Sequence, residues 1–396
     1  MIAVIADDFT GAAEIGGLGI RFQMKVEIVT RVSMECDADL LIVVTDTRSK
    51  SSGEAILDIS QITAELMKLQ PELIYKKIDS VLRGHIVEEL LTQMQILGKS
   101  RALVVPANPH LGRIIKDGIY YLKSEKLHET SFKNDPEFVA HYSKAMNSSN
   151  VIDILKPDGR FNVVIAKIGA TVPTEGIVIG EAQTTEDLLS WAGTVDHDTL
   201  MAGASSFFLA VLEHAGYPHR ERSKERQVVY FDSRMLVVCG SSFSKSRKMV
   251  ESVMADGASV SIMPSALLTA DEDLVSGLED EWVADIVSLF AVHHYVIVAA
   301  DPRAGYLAKD IVERIRKHTA RAVAEVMRKL PIQELVLEGG STASSILSEM
   351  GLEKLYPEQE ISDGVIRTSI PGSLALHITF KPGSYRWPGE IWNFKL

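Results

Sequence analysis

Short runs of apolar residues alternate with amphipathic segments over the first part of the chain. The apolar runs predict buried strands at 2–6, 26–30, 40–45, 73–77 and 101–105. Between several of them, apolar residues recur at spacings of three and four, which predicts helices at 10–22, 53–69 and 86–97. This order of strand, helix and strand predicts a doubly wound α/β domain with a mostly parallel sheet.

The same alternation returns further along the chain. Regular structure is predicted at 161–168, and strands are predicted at 177–181, 235–239, 260–263, 295–300, 335–337 and 376–380. Helices are predicted at 184–192, 244–255, 307–329 and 344–349. Two stretches differ. The segment 199–216 is predicted as a loop that enters a helix, and 108–150, rich in Gly, Pro, His and Lys, as loops and short elements rather than more sheet.

A polar, densely charged run at 217–226 separates two sets of elements. It starts at Tyr217-Pro218 and is predicted to be an interdomain linker. With 396 residues, 46% of them hydrophobic, the chain is long enough for two separate cores. We therefore predict an α/β protein with two domains, 1–225 and 226–396, each with a mostly parallel sheet flanked by helices, and an active site in the cleft between them.

Composition argues against several classes of partner. The net charge of −12 disfavours a general nucleic-acid or anionic-membrane surface. The two cysteines, Cys36 and Cys239, lack any metal-ligand spacing and fit a reducing cytosol. The N-terminus has no charged region followed by an apolar leader, and no run of about 18 apolar residues occurs. We expect a cytoplasmic protein without nucleic-acid or membrane partners, and the sequence leaves its oligomeric state open, a homodimer included.

Reactive side chains follow the predicted strands of the first domain. The first strand runs directly into Asp7-Asp8, the third into the segment that holds Arg48, and the fourth into a segment with several polar residues. That last segment contributes the candidates Lys77, Asp79, Ser80 and Arg83. Because the carboxyl ends of parallel strands meet at one edge of a sheet, we expect these segments to converge.

The residue types in this group suit a substrate that carries a carboxylate. Arg48 and Arg83 are well shaped for bidentate recognition of such a group. Asp79 can accept the proton of a substrate hydroxyl, and Lys76 or Lys77 can offset the charge of a transferred group. A simpler interpretation is that these residues form surface ion pairs and helix caps. The convergence of several of them at strand ends favours a site.

Three glycine-rich turns in the second half predict a phosphate site. Gly339-Gly340-Ser341-Thr342 and Gly240-Ser241-Ser242 each link a strand to a helix, and Lys381-Pro382-Gly383 follows the last predicted strand. Glycines allow the backbone to approach an anion, and a helix N-terminus supplies free N–H groups. The chain has neither a P-loop nor a dinucleotide-binding fingerprint. The glycines of Gly16-Gly17-Leu18-Gly19 lie within a helical pattern and indicate close helix packing instead.

These segments resemble the signature motifs of the four-carbon acid sugar kinase family. The matching segments occur in the family's order, at 6–12, 46–49, 76–84, 339–343 and 381–383. Weaker matches at 106–113, 135–136, 202–204 and 240–242 extend the resemblance over nearly the whole chain. The chain departs from the family pattern at Val81, where Thr is common, at Pro382, where Ser is common, and at 384–388, where the family usually has a Phe-Gly pair.

The resemblance implies an N-terminal domain that binds a four-carbon sugar acid and a C-terminal domain that binds ATP. The implied reaction is phosphoryl transfer to the terminal hydroxyl of an acid such as threonate, erythronate or 3-oxo-tetronate. Mg²⁺ is expected with ATP, because it neutralises charge on the transferred group. Which residues would hold a metal is not indicated by the sequence.

The family's functional residues carry over onto matching positions. The implied ATP contacts are Ser241, Ser242, Gly339, Gly340, Ser341, Thr342 and Gly383. The implied substrate contacts are Asp8, Arg48, Asp79, Ser80 and Arg83, to which their places at the ends of strands add Asp7 and Lys77. The predicted catalytic residues are Asp79, Asp8 and Arg83. Asp79 comes before Asp8 as the group that orients or deprotonates the accepting hydroxyl, and the sequence does not decide between them.

Two other functions stay open at this point. A regulatory protein of the same fold could bind nucleotide or sugar acid without transferring a phosphoryl group, which the altered 381–388 segment motivates. A hydrolase built on Asp7 and Asp8 is disfavoured, because adjacent residues on a strand are expected to point to opposite sides.

Overall fold

The computed structural model describes residues 1–134, 148–155, 162–218, 234–240, 244–301 and 309–392. Contacts divide the chain into two compact units. The first contains Met1–Lys133 and Glu137–Arg222, and the second Asn134–Pro136 and Ser223–Leu396. The predicted domain boundary at 225–226 and the greater part of the predicted linker lie outside the described residues. So does the weak family match at 135–136.

The helices and strands are labelled in chain order. The helices are α1 Phe9–Arg21, α2 Ser52–Lys68, α3 Ile86–Leu97, α4 Val151–Leu155, α5 Thr185–Ala192, α6 Ser205–His214, α7 Ser244–Ala255, α8 Glu272–Phe290, α9 Lys309–Lys329 and α10 Gly340–Glu349. The strands of the first unit are β1 Ile2–Ala6, β2 Val26–Val29, β3 Leu40–Val44, β4 Leu73–Lys77, β5 Arg101–Val105, β6 Arg113–Lys116, β7 Ile119–Leu122, β8 Glu125–Lys126, β9 Val163–Ala166, β10 Gly176–Gly180 and β11 Thr199–Gly203. Those of the second unit are β12 Met235–Cys239, β13 Val260–Ile262, β14 Tyr295–Ala299, β15 Glu334–Glu338, β16 Lys354–Ser362, β17 Val365–Ile370 and β18 Ser373–Lys381.

A parallel sheet forms the centre of the first unit. Its strand order is β2-β3-β1-β4-β11-β5-β10-β9, and all its neighbouring pairs are parallel. All five residues of β1 and of β3 are buried. Strands covered on both faces are expected to be apolar without interruption, which is why these runs were recognisable in the sequence.

The helices of this unit begin where the sequence places capping residues. Asp8 caps α1, and Ser51 and Glu54 form a capping box at the start of α2. The predicted close packing of α1 is confirmed at Gly19. A Cβ there would lie 2.5 Å from Cγ2 of Val26 and 2.7 Å from Cδ2 of Leu40.

The prediction of a loop at the start of 199–216 is wrong. Residues Thr199–Gly203 form β11, which lies inside the sheet between β4 and β5. The strand is short and ends in small residues, so its sequence carries little β signal. Gly203 is required by packing, because a Cβ there would lie 2.8 Å from Oη of Tyr75.

The prediction that 108–150 adds no sheet is also wrong for part of that stretch. Strands β6, β7 and β8 form a separate three-stranded antiparallel sheet. Two-residue turns with positive φ connect them, Asp117-Gly118 (50° and 76°) and Lys123-Ser124 (51° and 73°). Asp-Gly is a strong hairpin signal, and it was available in the sequence.

The second unit has a mixed sheet with the order β13-β14-β12-β15-β18-β17-β16. Its first five strands pair in parallel, and β18-β17-β16 pair antiparallel. Helix α8 and strands β16 and β17 lie in segments to which the sequence analysis assigned no element. Within the described residues, the helices are too short or too polar to cross a membrane.

Candidate functional site

Three strand ends lie side by side in the first unit, because β3, β1 and β4 are neighbours in the parallel sheet. Asp7 and Asp8 follow β1, Arg48 lies just after β3, and Asp79 follows β4. All four residues are buried. One edge of the sheet therefore carries three carboxylates and a guanidinium, which we call the Asp–Arg cluster.

Arg48 lies at the centre of the Asp–Arg cluster. Its Nε and Nη2 donate to Oδ2 of Asp7, at 3.2 and 2.9 Å. Its Nη1 donates to Oδ2 of Asp8 at 3.1 Å, and Nη2 lies 3.9 Å from Oδ1 of Asp79. Asp7 and Asp8 thus meet the same guanidinium. The expectation that they point to opposite sides is wrong, because β1 ends at Ala6 and strand alternation does not continue beyond it.

Left-handed backbone conformations position the residues around the cluster. Asp46, with φ 48°, precedes the short 3₁₀ turn Thr47–Ser49 that holds Arg48. Leu82, with φ 67°, is buried directly before Arg83, and Gly84 has φ 103°. Such conformations are costly for residues other than glycine and persist where surrounding structure enforces them.

Asp79 is bound on both carboxylate oxygens by Arg83. Nε of Arg83 donates to Oδ2 at 2.8 Å and Nη2 donates to Oδ1 at 3.0 Å, while the Arg83 backbone N–H also donates to Oδ2 at 3.1 Å. Burial raises the pKa of Asp79, but Arg83 and Arg48 lower it by more, so it lies well below its usual range. Asp79 is therefore a stable carboxylate that fixes Arg83.

Asp8 uses both oxygens in structural contacts. Oδ1 accepts from the backbone N–H of Gly11 at 2.7 Å, and Oδ2 accepts from the Thr10 hydroxyl at 2.7 Å as well as from Arg48. Burial raises the pKa of Asp8, but Arg48, Lys77 and these hydrogen bonds bring it below its usual range. A Cβ on Gly11 would lie 2.8 Å from Oδ1 of Asp8, so the cap requires glycine at this position.

Asp7 differs from the other two carboxylates. Its Oδ2 accepts from Arg48, whereas its Oδ1 is buried and has no hydrogen-bond partner among the described residues. Burial raises the pKa of Asp7, Arg48 lowers it and the neighbouring Asp8 raises it, and the net change is upward.

The two neighbouring lysines point in different directions. Nζ of Lys77 donates to the carbonyl of Ile78 at 3.0 Å and lies 3.7 Å from Oε2 of Glu14, on the side of α1. Lys76 is fully buried and pairs with Glu89 on α3 at 2.5 Å. Successive side chains of a strand face opposite ways. Of the two candidates, Lys77 is the one near the Asp–Arg cluster, and Lys76 is a core ion pair.

Ser80 connects the cluster to the small antiparallel sheet. Its hydroxyl accepts from Nη1 of Arg113 on β6, and its carbonyl accepts from the hydroxyl of Tyr120 on β7 at 2.5 Å. All three residues are buried. Neither Arg113 nor Tyr120 was among the predicted site residues. Arg113 lies in a segment that matches the family weakly, and Tyr120 had no signal because its contact spans 40 residues.

The glycine-rich turns of the second unit also lie side by side, since β12, β15 and β18 are neighbours in its sheet. Gly240 follows β12, Gly339 follows β15 with φ 96°, and its N–H donates to the carbonyl of Lys381 at 3.0 Å. A Cβ on Gly240 would overlap the side chain of Thr342 on α10. Gly340, Ser341 and Gly383 lie at the same edge, and Ser241 and Ser242 lie outside the described residues.

A buried ion pair lies at this edge. Lys381 Nζ lies 2.5 Å from Oε1 of Glu338, the residue directly before Gly339, and the Ser246 hydroxyl donates to the same oxygen at 2.6 Å. The ring of Trp387 lies 4.8 Å from Nζ of Lys381 and 4.6 Å from the ring of Trp392. The segment that departs from the family pattern thus places an indole over the ammonium group of Lys381.

Comparisons with known proteins match each half of the chain separately. Residues 2–211 match a family model described as a sugar-binding N-terminal domain, and residues 236–385 match one described as a nucleotide-binding C-terminal domain. The chain is similar to D-threonate kinase of Salmonella typhimurium, with 23% identity over 390 residues that cover 91% of this chain and 88% of the relative.

Two further relatives carry different names. A 3-oxo-tetronate kinase of Pseudomonas savastanoi is 23% identical over 423 residues, covering 97% of this chain and 94% of the relative. A D-erythronate kinase of Heliobacterium modesticaldum is 28% identical over 225 residues, covering 52% and 49%.

Solved structures share the fold. A protein from Salmonella typhimurium LT2 matches with a TM-score of 0.72 at 16% identity, covering 100% of this chain and 97% of the other. A Haemophilus influenzae protein matches with a TM-score of 0.66 at 16% identity, covering 99% and 98%. At these identities the likeness shows the fold alone. The two domain matches, which follow one another along the chain, place this protein in the four-carbon acid sugar kinase family.

Proposed function

We propose that this protein transfers the γ-phosphoryl group of ATP to the terminal hydroxyl of a four-carbon sugar acid of the threonate, erythronate or 3-oxo-tetronate type. The observation that carries the proposal is the Asp–Arg cluster at the strand ends of the sugar-binding domain. The names of the relatives support the same substrate class.

The Asp–Arg cluster offers both kinds of group that a sugar acid needs. Its carboxylates can accept hydrogen bonds from substrate hydroxyls, and its cations can bind the substrate carboxylate. Arg83 has the most exposed side chain of the cations, at 13% against 8% for Arg48 and 4% for Lys77. Arg83 is therefore the best placed to meet the substrate carboxylate, with Asp79 holding its guanidinium in one orientation.

The glycine-rich edge of the second unit suits the triphosphate of ATP. Gly240, Gly339 and Gly383 leave backbone without side chains at neighbouring strand ends, and α10 begins at Gly340. In the described ranges, no group of three or more His, Cys, Asp or Glu residues is arranged so that it could hold a metal ion. Mg²⁺ is often held by one or two carboxylates and by substrate phosphates, so an ion carried by the triphosphate fits this chain.

The test is ADP release in the presence of ATP and Mg²⁺ across D- and L-threonate, D- and L-erythronate and the 3-oxo acid. Release that depends on one acid would support the proposal and identify the substrate. ATP binding without ADP release in the presence of any acid would contradict it. That second result would favour a protein that binds its ligands without transfer.

A further inference from the structure

The three carboxylates of the Asp–Arg cluster are not equivalent. Five of their six oxygens already have hydrogen-bond donors within the protein. Asp8 is committed to the α1 cap and to Arg48, and Asp79 to Arg83. Within the part of the chain that the structure describes, the oxygen left without a partner is Oδ1 of Asp7, on a side chain that is only 5% exposed. An unpaired buried acceptor is costly, and a catalytic role is one of the reasons for which proteins keep such a group.

The space beside Asp7 is left open by a glycine. Gly84 has φ 103°, and a Cβ built there would lie 3.8 Å from Oδ2 of Asp7 and 3.7 Å from Cγ of Arg48. These are ordinary contact distances, so the space is about the size of a carbon or oxygen atom. This space borders Oδ2, the oxygen that Arg48 holds, and Gly84 adds no side chain against the Asp7–Arg48 pair.

We propose that Asp7 is the catalytic base of the reaction proposed above, on which this inference rests, and that Asp79 and Asp8 are positioning residues. The hydroxyl proton passes to Oδ1 of Asp7 while the hydroxyl oxygen forms a bond to the γ-phosphorus of ATP. The bond from that phosphorus to the bridging oxygen breaks, and its electron pair leaves with ADP. Arg48 holds the Asp7 carboxylate through Oδ2, which leaves Oδ1 for the substrate.

The charges around Asp7 agree with this role. The charged groups that act on it are Arg48, Asp8, Lys77 and Lys76, and their effects together with burial raise its pKa. The pKa values of Asp8 and Asp79 are lowered. A base is more effective when its pKa lies closer to the working pH, so Asp7 is the strongest base of the three carboxylates.

The test compares Asp7→Asn with Asp79→Asn and Asp8→Asn as matched variants that each remove one carboxylate. For Asp7→Asn we expect kcat to fall about 10² to 10⁴-fold. Sugar-acid binding, measured by titration calorimetry, should be largely retained. For Asp79→Asn we expect mainly a higher KM, because Arg83 loses its support. The pH profile of kcat separates the roles: a fall on the acidic side should persist in Asp79→Asn and Asp8→Asn and be absent in the residual activity of Asp7→Asn.

Each result bears on one proposal. If the wild type turns over a sugar acid and Asp7→Asn retains its kcat, Asp7 is not the base, while the proposed function stands. If the wild type turns over none of the acids, the proposed function fails and the role of Asp7 with it. If Asp7→Asn does not fold, the pH profile of kcat for the wild-type enzyme decides. A wild-type kcat that stays constant as the pH is lowered would overturn the role of Asp7. A wild-type kcat that falls at low pH, with the same fall in Asp79→Asn and Asp8→Asn, would support it.

Discussion

At the scale of residues, the candidate site depends on charge pairing between segments that are distant in sequence. Arg48 bonds to Asp7 and Asp8 across 41 and 40 residues. Asp79 and Arg83 form a local pair four residues apart. A buried ion pair adds little net stability, but the removal of one partner leaves an uncompensated charge in the interior.

Loss of Arg48 should therefore be strongly destabilising. Arg48→Ala leaves Asp7 and Asp8 without their shared cation, and we expect the free energy of unfolding to fall by about 3–5 kcal/mol. Urea unfolding at neutral pH measures the change. Arg328→Ala is the control, because Arg328 forms an exposed pair with Glu325. Its loss should change stability by about 1 kcal/mol at most. Similar small changes in both variants would contradict a central role of Arg48.

Asp79 and Asp7 should affect the pH dependence of stability in opposite directions. The folded-state pKa of Asp79 is lowered from 3.8, so its ionised form adds stability above that pH, and this is lost as the pH falls below it. The folded-state pKa of Asp7 is raised from 3.8, so its contribution is lost as the pH rises above that value. In Asp79→Asn, the free energy of unfolding should fall less in acid than it does in the wild type. In Asp7→Asn, it should fall less as the pH rises towards neutral. Urea unfolding from about pH 3 to pH 7 tests both. If the free energy of unfolding of both variants follows pH in parallel with that of the wild type, these pKa shifts are ruled out.

At the scale of elements, the strands buried on both faces were predicted to within about a residue, because an apolar run is a local signal. Strand β11 was missed because its small residues become a strand only through pairing with β4 and β5. Helix α8 was missed although its buried residues recur at helical spacing, as in Val275, Trp282, Val283, Ile286 and Phe290. This spacing is a local signal that the sequence itself contains.

Close packing of α1 predicts a contrast between two glycines in helices. Gly19→Ala places a Cβ against Val26 and Leu40, and we expect a loss of about 1–3 kcal/mol. Gly277 in α8 has no atom of the described residues within 4 Å of its Cβ position. Gly277→Ala should therefore stabilise the protein by about 0.5–1 kcal/mol through helix propensity. Thermal or urea unfolding of both variants gives the signs, and the same sign for both would contradict the packing of α1 against the sheet.

The buried ion pair between Glu338 on β15 and Lys381 on β18 leads to a prediction about a single and a double variant. Glu338→Gln leaves Lys381 buried without its carboxylate, and we expect a loss of about 3–5 kcal/mol in urea unfolding. The double variant Glu338→Met with Lys381→Met removes both charges and should lose clearly less than the single variant. A double variant at least as unstable as Glu338→Gln would show that packing, and not charge, is what the pair supplies.

At the scale of the whole molecule, the chain has two compact units, and each holds one of the two candidate sites. The residues proposed to bind the sugar acid lie in the first unit, and the described glycine-rich turns lie in the second. The cleft expected between the domains stays a prediction, and the sequence leaves the oligomeric state open, a homodimer included. The assignment of the two candidate sites to different units can be tested by measuring sugar-acid binding and ATP binding separately.

Variants at one site should leave binding at the other nearly unchanged. Arg83→Ala should lower turnover by orders of magnitude while ATP binding is almost intact. Gly339→Ala forces Ala into a conformation with φ 96°, at a strain of about 1–3 kcal/mol, and should weaken ATP binding about five- to 150-fold. Titration calorimetry with each ligand alone measures both effects. Loss of ATP binding in Arg83→Ala would show that the sites are assigned to the wrong units.

The sequence by itself determined the α/β class, most strands and helices of the sheets, and the segments that hold the candidate residues, because burial and helix caps leave local patterns. Only the tertiary structure decided which side chains meet. It placed Lys76 in a core pair with Glu89 and joined Ser80 to Arg113 and Tyr120. It also left one oxygen of Asp7 without a donor from any residue in the described ranges. The sequence favoured Asp79 as the base, whereas the geometry favours Asp7. Hydrogen-bond partners depend on distances between segments that are remote along the chain, and no local pattern records those distances.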